Sequence, residues 1–453
     1  MRILSNFLVL ISLSFFSITF AQEHPDDLFF KARLQPISKD NIFKTEGYYN
    51  WGASIIKGKD GKYHMFYSRW KKEYSFLGWL IYSEIAHAVS KSPSGPWKYK
   101  ETVIKNRRNG YPDAIAAYNP KIKYFDGKYY LYYSSTNLKG VDYTEADLLE
   151  TAKTGYSHRL WKILRPNQRT FVAVSNSLDG PWQRPEKVLI EPTGPITTLT
   201  VNPAIAQGKD GKFYLVVKGD KPNEKRFIRD QAVAVSDSPA GPFVMQKKPV
   251  IDYIDTEDMS IWYDKTRDRF YGVFHTAKGF IGMVTSSDGI NWKKATEYVL
   301  MHKKVPMTDD SVMKPDRLER PFVFTDENDQ PEVLSLAVKK GDESYTIFIP
   351  VAAVSGEGTK VYIKQPKKDV NTVIIREDIK NEECIREYKV QALVNGKWQT
   401  VCDGQSVVNK RIQQFDTVNT NKLRLIVDFL KLTGVCYVFK DMILSNDPEW
   451  FMT

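Results

Sequence analysis

The sequence predicts an all-β protein: a five-bladed β-propeller followed by a small β-sandwich of partial jelly-roll type. Three observations lead there. A phrase ending in an aromatic residue recurs, as "SKSPSGPWKY" from Ser90, "SNSLDGPWQR" from Ser175, "SDSPAGPFVM" from Ser236 and, in a worn copy, "SSDGINWKKA" from Ser286. Ahead of these phrases stand hairpin signals, tight turns flanked by alternating β-branched and aromatic residues. The unit repeats every 50 to 80 residues or so with about four strands each, which is the pattern of radial repetition.

The chain opens with Met1-Arg2 and an apolar run from Phe7 to Phe20, with Thr19 and Ala21 in a small-residue cleavage pattern. That reads as a secretory signal over residues 1–21, too short to span a membrane. It predicts a secreted or periplasmic protein, and no other apolar run reaches membrane length. The propeller is expected over residues 22–354. Its blades are led by "WGASIIKGKDGKYHMFYSRW", "YNPKIKYFDGKYYLYYSST", "VNPAIAQGKDGKFYLVVKG", "EDMSIWYDKTRDRFYGVFH" and "ERPFVFTDENDQPEVLSLAV", the last closing with "SYTIFIPV". In each "GPW" phrase the turn is followed by an aromatic expected to pack between neighbouring blades, a structural role. The insertion from Val141 to Arg169 has helical periodicity in its first half and is expected to wall a pocket. "SGEGT" marks a linker, and residues 355–453 alternate apolar and polar residues in short strands. The formal net charge of +11 is spread along the chain without a Lys/Arg block. It suits solubility and a mild attraction to anionic polysaccharide, and no motif points to nucleic acid. Cys384, Cys402 and Cys436 allow at most one internal disulfide and have no zinc spacing.

Blade geometry locates a site. Residues just before the first strand of a blade, and the loop joining strands two and three, share one face around the axis. Asn50, Trp51, Tyr118, Asn119, Asn202, Glu257, Asp258, Glu319 and Arg320 come from the strand starts. Ser68, Arg69, Trp70, Lys218, Asp220, His275 and Lys278 come from the loops. Trp51 offers a flat apolar surface for a sugar ring. Arg69, Asn119, Asn202, Glu257, His275 and Arg320 are the other expected substrate contacts.

Over roughly residues 45 to 352, these blade starts, hairpins and the "SDSPxGP" phrase resemble the glycoside hydrolase family 43 type of propeller, with its relatives in families 32, 117 and 130. The resemblance implies a glycosidase needing no cofactor. Calcium at the axis would be compatible, though no motif supports it and no metal ligands are expected. "TEDMSIW" followed by "LERPFVF" matches the family pair of a tuning Asp and an acid Glu, which implies Asp258 and Glu319 in those roles. The base should come from blade two, where Asn119 occupies the usual Asp position and Asp113 is the nearest substitute.

Such a trio fits inverting hydrolysis, in which an acid protonates the leaving oxygen and a base activates water across a gap of about 6.5–9.5 Å. A neighbouring Asp258 anion would keep the Glu319 proton in place. The expected substrate is a plant or algal oligosaccharide or polysaccharide, anionic or neutral, cleaved from its end if insertions block the funnel. Two other readings stand beside this one: a family 130-like phosphorylase and a noncatalytic sugar-binding propeller. The C-terminal "VNGKW" hairpin and "KLRLIV" strand resemble part of a discoidin-type galactose-binding-like module, as found at the end of family 29 fucosidases. Its expected role is structural.

Overall fold

The computed structural model describes residues 26, 28, 30–108, 110–352, 359–376, 387–405, 410–427 and 442–445. The N-terminal signal segment, the "SGEG" linker, Cys384 and Cys436 lie outside them. The Cys402 thiol is free.

Five sheets follow one another along the chain. Blade 1 contains Tyr48–Lys57, Tyr63–Lys71, Glu84–Ser90 and Lys98–Ile104, in that order from the axis outward. Blade 2 contains Ile115–Phe125, Lys128–Thr136 and Arg169–Ser175, with single bridges to Gln183 and Ile190 on its outer edge. Blade 3 runs Thr197–Gln207, Phe213–Asp220, Arg229–Ser236 and Val244–Ile251. Blade 4 runs Thr256–Asp264, Arg269–Thr276, Phe280–Ser286 and Lys293–His302. Blade 5 contains Arg317–Thr325, Pro331–Lys340 and Glu343–Pro350. Its fourth strand is Ile42–Phe43, from the other end of the propeller sequence, paired Ile42 to Ile347 and Phe43 to Thr346. The N-terminal segment thus closes the ring.

An apolar cluster sits between each pair of neighbouring blades, because inner strands buried on both faces have apolar residues to offer on both. Ile55, Met65 and Tyr67 of blade 1 meet Phe322, Phe324 and Phe348 of blade 5. Phe66 and Ile85 of blade 1 meet Ile122 and Leu131 of blade 2, and blades 2–3, 3–4 and 4–5 follow suit. The aromatics of the recurring phrase join these seams: Trp97 packs on Phe348 with ring centroids 5.4 Å apart, and Trp182 on Phe66 at 5.8 Å.

The innermost strands share a further device. Gly52, Asn119, Asn202, Asp258 and Arg320 stand at equivalent places in blades 1 to 5, and all have left-handed backbone, φ 53–67°. Pairing with the second strand shifts at each of these places, the mark of a β-bulge. Gly, Asn and Asp tolerate this conformation and Arg does so less readily; at Arg320 an ion pair to Asp258 accompanies it.

The insertion forms helices Glu145–Thr154 and Arg159–Leu164, the first opened by a capping box between Thr144 and Asp147. Among the described residues the C-terminal region is one antiparallel sheet, in the order Lys397–Gln405, Glu387–Val394, Lys410–Val427, Thr359–Arg376, Met442–Ser445. Val373, Ile375, Tyr388, Val390, Leu423 and Leu425 form its core. No helix of the described residues is long and apolar enough to cross a membrane.

Candidate active site

The bulges determine which side chains reach the mouth. The residue at each bulge turns toward the axis, and the residue before it turns into a pocket at the strand starts. Along the axis, Asn119 Nδ2 donates to Asn202 Oδ1, and Asn202 Nδ2 donates to Asp258 Oδ1. Arg320 pairs with the same Asp258 oxygen from the other side. Asn119, Asn202 and Arg320 form the pocket floor; Asp258 lies beneath it, 4% exposed.

Trp51, Glu257 and Glu319 line the pocket itself. Its two walls differ in chemistry. Blades 1 and 2 and the insertion supply Trp51, Phe76, Trp79, Tyr118 and Trp161. Trp79 meets Tyr118 and Trp161 edge to face, at 5.2 and 5.8 Å. Blades 3 to 5 supply Lys218, Arg229, Glu257, Arg317 and Glu319. One wall thus suits the apolar face of a pyranose and the other its hydroxyls and its reacting bond.

The two carboxylates are held differently. Glu257 Oε2 lies 2.9 Å from Lys218 Nζ, and Oε1 meets Arg229 and, at 3.5 Å, His275 Nε2. Burial pushes the Glu257 carboxyl up, but Lys218, His275 and Arg229 together outweigh it and hold the group well below the usual carboxylate range. Glu319 Oε1 accepts a hydrogen bond from Arg317 Nε at 2.7 Å. Glu257, Asp258, His275 and Glu319 each place one polar atom within 4.8 Å of the others. Protein cations already balance this set, so its geometry does not call for a metal ion.

His275 is buried, with Nδ1 2.9 Å from Asp258 Oδ2. Burial opposes its charge, but Asp258, then Glu257 and Glu319, push its pKa up to about 10. The folded value lies above the unfolded one of about 6.5, so this histidine's stabilisation is complete below about pH 6.5. It is lost as pH rises toward 10. Chemical denaturation across pH 6–10 should show stability falling, with a shallower fall in His275→Gln.

Four sequence expectations need correction. Asp113 is fully buried outside the pocket, paired with Arg107 and Arg184, and it accepts from Tyr133 Oη at 2.6 Å. Fully buried and absent from the pocket lining, it does not fit a general base. Arg69 lies between the Tyr48 and Tyr99 rings and donates from Nε to Glu84 at 2.9 Å, away from the pocket. His275 is beneath the floor rather than at the substrate surface. Asp258, engaged by Arg320 and His275, has no uncompensated charge to direct at Glu319.

Sequence reasoning missed Arg229, Arg165 and Phe227 on the charged side. Arg229 bonds Asp255 and Glu257 of the next blade, and Arg165 from the insertion forks onto Asp220 at 2.7 and 2.8 Å. These partners are distant in sequence and leave no local signal. Arg317 had one: it stands two residues before Glu319 on the same strand, hence on the same face.

The fold and site together define a five-bladed propeller with an axial pocket, in which paired carboxylates face an aromatic wall. A family model described as "Glycosyl hydrolases family 43" matches residues 101–231. Among solved structures, one described as a BT0996 RGII complex aligns at TM-score 0.54 and 13% identity, covering 76% of this protein and 98% of that one. A family 117 glycoside hydrolase, Zg3597 of the marine bacterium Zobellia galactanivorans, aligns at TM-score 0.49 and 18% identity, covering 70% and 88%. A Bacteroides thetaiotaomicron structure described as a putative α-L-fucosidase is 42% identical over 20% of each protein, at TM-score 0.17. No curated protein matches. The ring is a glycosyl hydrolase family 43-like propeller.

Proposed function

We propose that the protein is a glycosidase that hydrolyses O-glycosidic bonds in oligosaccharide or polysaccharide fragments, with Glu319 as general acid and Glu257 as its ionised partner. The observation that carries this is the unequal treatment of two carboxylates on one wall. Three cations keep Glu257 charged, whereas Glu319 has one arginine and faces the pocket. Glu319 would give its proton to the leaving oxygen while Glu257 stabilises, or attacks, the anomeric carbon.

The separation bears on stereochemistry. Glu257 and Glu319 each bring one oxygen within 4.8 Å of the other. They fall near the spacing of about 5–5.5 Å that goes with retention, not the wider one of inversion. Glu257 then attacks C1 as Glu319 protonates the leaving group. In the second step Glu319 takes a proton from the water that releases the sugar. This replaces the single displacement with Asp113 as base. The insertion closes the pocket on the blade 1–2 side, which supports attack at a chain end. Arg165 at the rim, its side chain 27% exposed, would meet a carboxylate or sulfate on the sugar. The basic and apolar start of the chain supports secretion or a periplasmic location. Phosphorolysis is less well supported, because Lys218 and Arg229 are committed to Glu257 rather than available to phosphate.

A panel of aryl glycosides and oligosaccharides, followed by proton NMR of the first-formed anomer, tests both parts. The expected product keeps the anomeric configuration of the substrate. Initial formation of the opposite anomer would remove Glu257 as nucleophile, and no turnover with retained sugar binding would leave a binding propeller.

A further inference from the structure

On the outer part of the seam between blades 1 and 2, far in sequence from the pocket carboxylates, a chain of polar contacts runs from the surface to a fully buried ring. Asp60 Oδ1 lies 3.1 Å from His64 Nε2, and His64 Nδ1 lies 2.9 Å from His87 Nε2. A carboxylate only accepts, so it fixes the tautomers in turn. His64 carries its proton on Nε2 and accepts at Nδ1, and His87 therefore donates from Nε2. Asp60 is kept ionised, its pKa lowered to about 2 chiefly by the His64 N–H.

This relay leaves the His87 Nδ1 lone pair unprotonated. That atom has no hydrogen-bond partner, although His87 is 0% exposed. The ring is clamped against Phe66, with centroids 4.6 Å apart and planes 11° from parallel. Its lone pair points at two more electron-rich groups, Glu101 Oε1 at 3.7 Å and Asp179 Oδ1 at 4.0 Å. All three atoms lie within 4.8 Å of one another. A lone pair facing two carboxylates is repulsive unless a cation lies between them. The Lys100 ammonium, on a half-exposed side chain, approaches Asp179 from the solvent side but stays 4.0 Å from Glu101.

We propose that His87, Glu101 and Asp179 form a binding site for a divalent transition-metal ion of the zinc type. The donor set, one neutral imidazole and two carboxylates, is a zinc-like one, and water would complete the shell. Metal–ligand distances near 2.0–2.2 Å put tetrahedral donors about 3.4 Å apart. The exposed carboxylates reach that by small side-chain rotations about the fixed imidazole. The Asp60–His64 pair is the outer support that orients a metal-binding histidine. Since His87 and Glu101 belong to blade 1 and Asp179 to the turn of the blade 2 phrase, the ion would fasten two neighbouring blades. Lys100 competes for the position and sets the affinity.

Calorimetric titration of the full-length protein with zinc chloride, its thiols blocked, tests the site. The wild type should take up an equivalent that Glu101→Gln and Asp179→Asn each lose or bind at least tenfold more weakly. Both positions are exposed enough for the fold to survive. Asp258→Asn should keep that equivalent, which separates this site from the axial cluster. Lys100→Met should tighten zinc binding and raise the zinc-induced shift in Tm. Equal zinc binding by the wild type, Glu101→Gln and Asp179→Asn would overturn the proposal. So would a Lys100→Met protein that binds no zinc, since the lysine would then be the cation the carboxylates are built for.

Discussion

Glu319→Gln should lower kcat on a natural oligosaccharide by roughly 10²- to 10⁴-fold, the contribution of a positioned general acid. The amide matches the carboxyl in shape and still accepts a hydrogen bond from Arg317 Nε, which donates to Oε1 in the wild type. Folding and sugar binding should therefore persist. The diagnostic is the leaving group. A substrate with a dinitrophenolate leaving group needs no proton, so its rate should fall far less than that of an alkyl or sugar glycoside. A uniform loss across leaving groups would mean that Glu319 acts on the substrate's position and not as an acid. Glu257→Gln should slow both kinds of substrate alike, because the charge facing the anomeric carbon is needed whichever group departs.

Asp113→Ala should cost stability, not chemistry. Its side chain is wholly buried and shared as ion-pair partner by Arg107 and Arg184, whose side chains are themselves only 18% and 16% exposed. Removing the shared anion leaves two guanidinium groups and the Tyr133 hydroxyl without their partner. Breaking a buried pair in this way costs about 3–5 kcal/mol. Urea unfolding of the propeller should show the midpoint moving down accordingly. At low temperature, where the variant is folded, kcat should remain within a few-fold of wild type. A stable Asp113→Ala protein that has lost turnover would restore this residue as a base. Asp113→Asn would keep the shape while removing the charge, and should be intermediate in stability.

Much of this architecture was legible in the sequence. Asp-Gly turns between alternating residues, and an aromatic phrase returning once per blade, gave the number of sheets and the direction of each strand. The two-residue strand Ile42–Phe43 was not legible, since nothing in so short a segment shows that it pairs with residues some three hundred positions later. The site was read one residue out of place for a definite reason. Along a strand, neighbouring side chains point to opposite sides, and a bulge resets which is which. "TEDMS" names two carboxylates, but only the left-handed turn at Asp258 settles that it faces the axis and Glu257 the pocket. At "LERPF" the same device favours Glu319, so that assignment agrees with the geometry. The cations around Glu257 come from other blades and were beyond any local pattern.

The closure of blade 5 by Ile42–Phe43 has a consequence for how the molecule is made. The last sheet cannot be completed until both ends of the propeller sequence have emerged, so synthesis from the N-terminus yields an open arc with one raw edge until its final strands arrive. Contacts so remote along the sequence are slow to form. A nascent protein of this kind stays unlatched and threadable until its far end is free, and a cut between Phe43 and Tyr48 would unlatch the finished ring at that same edge.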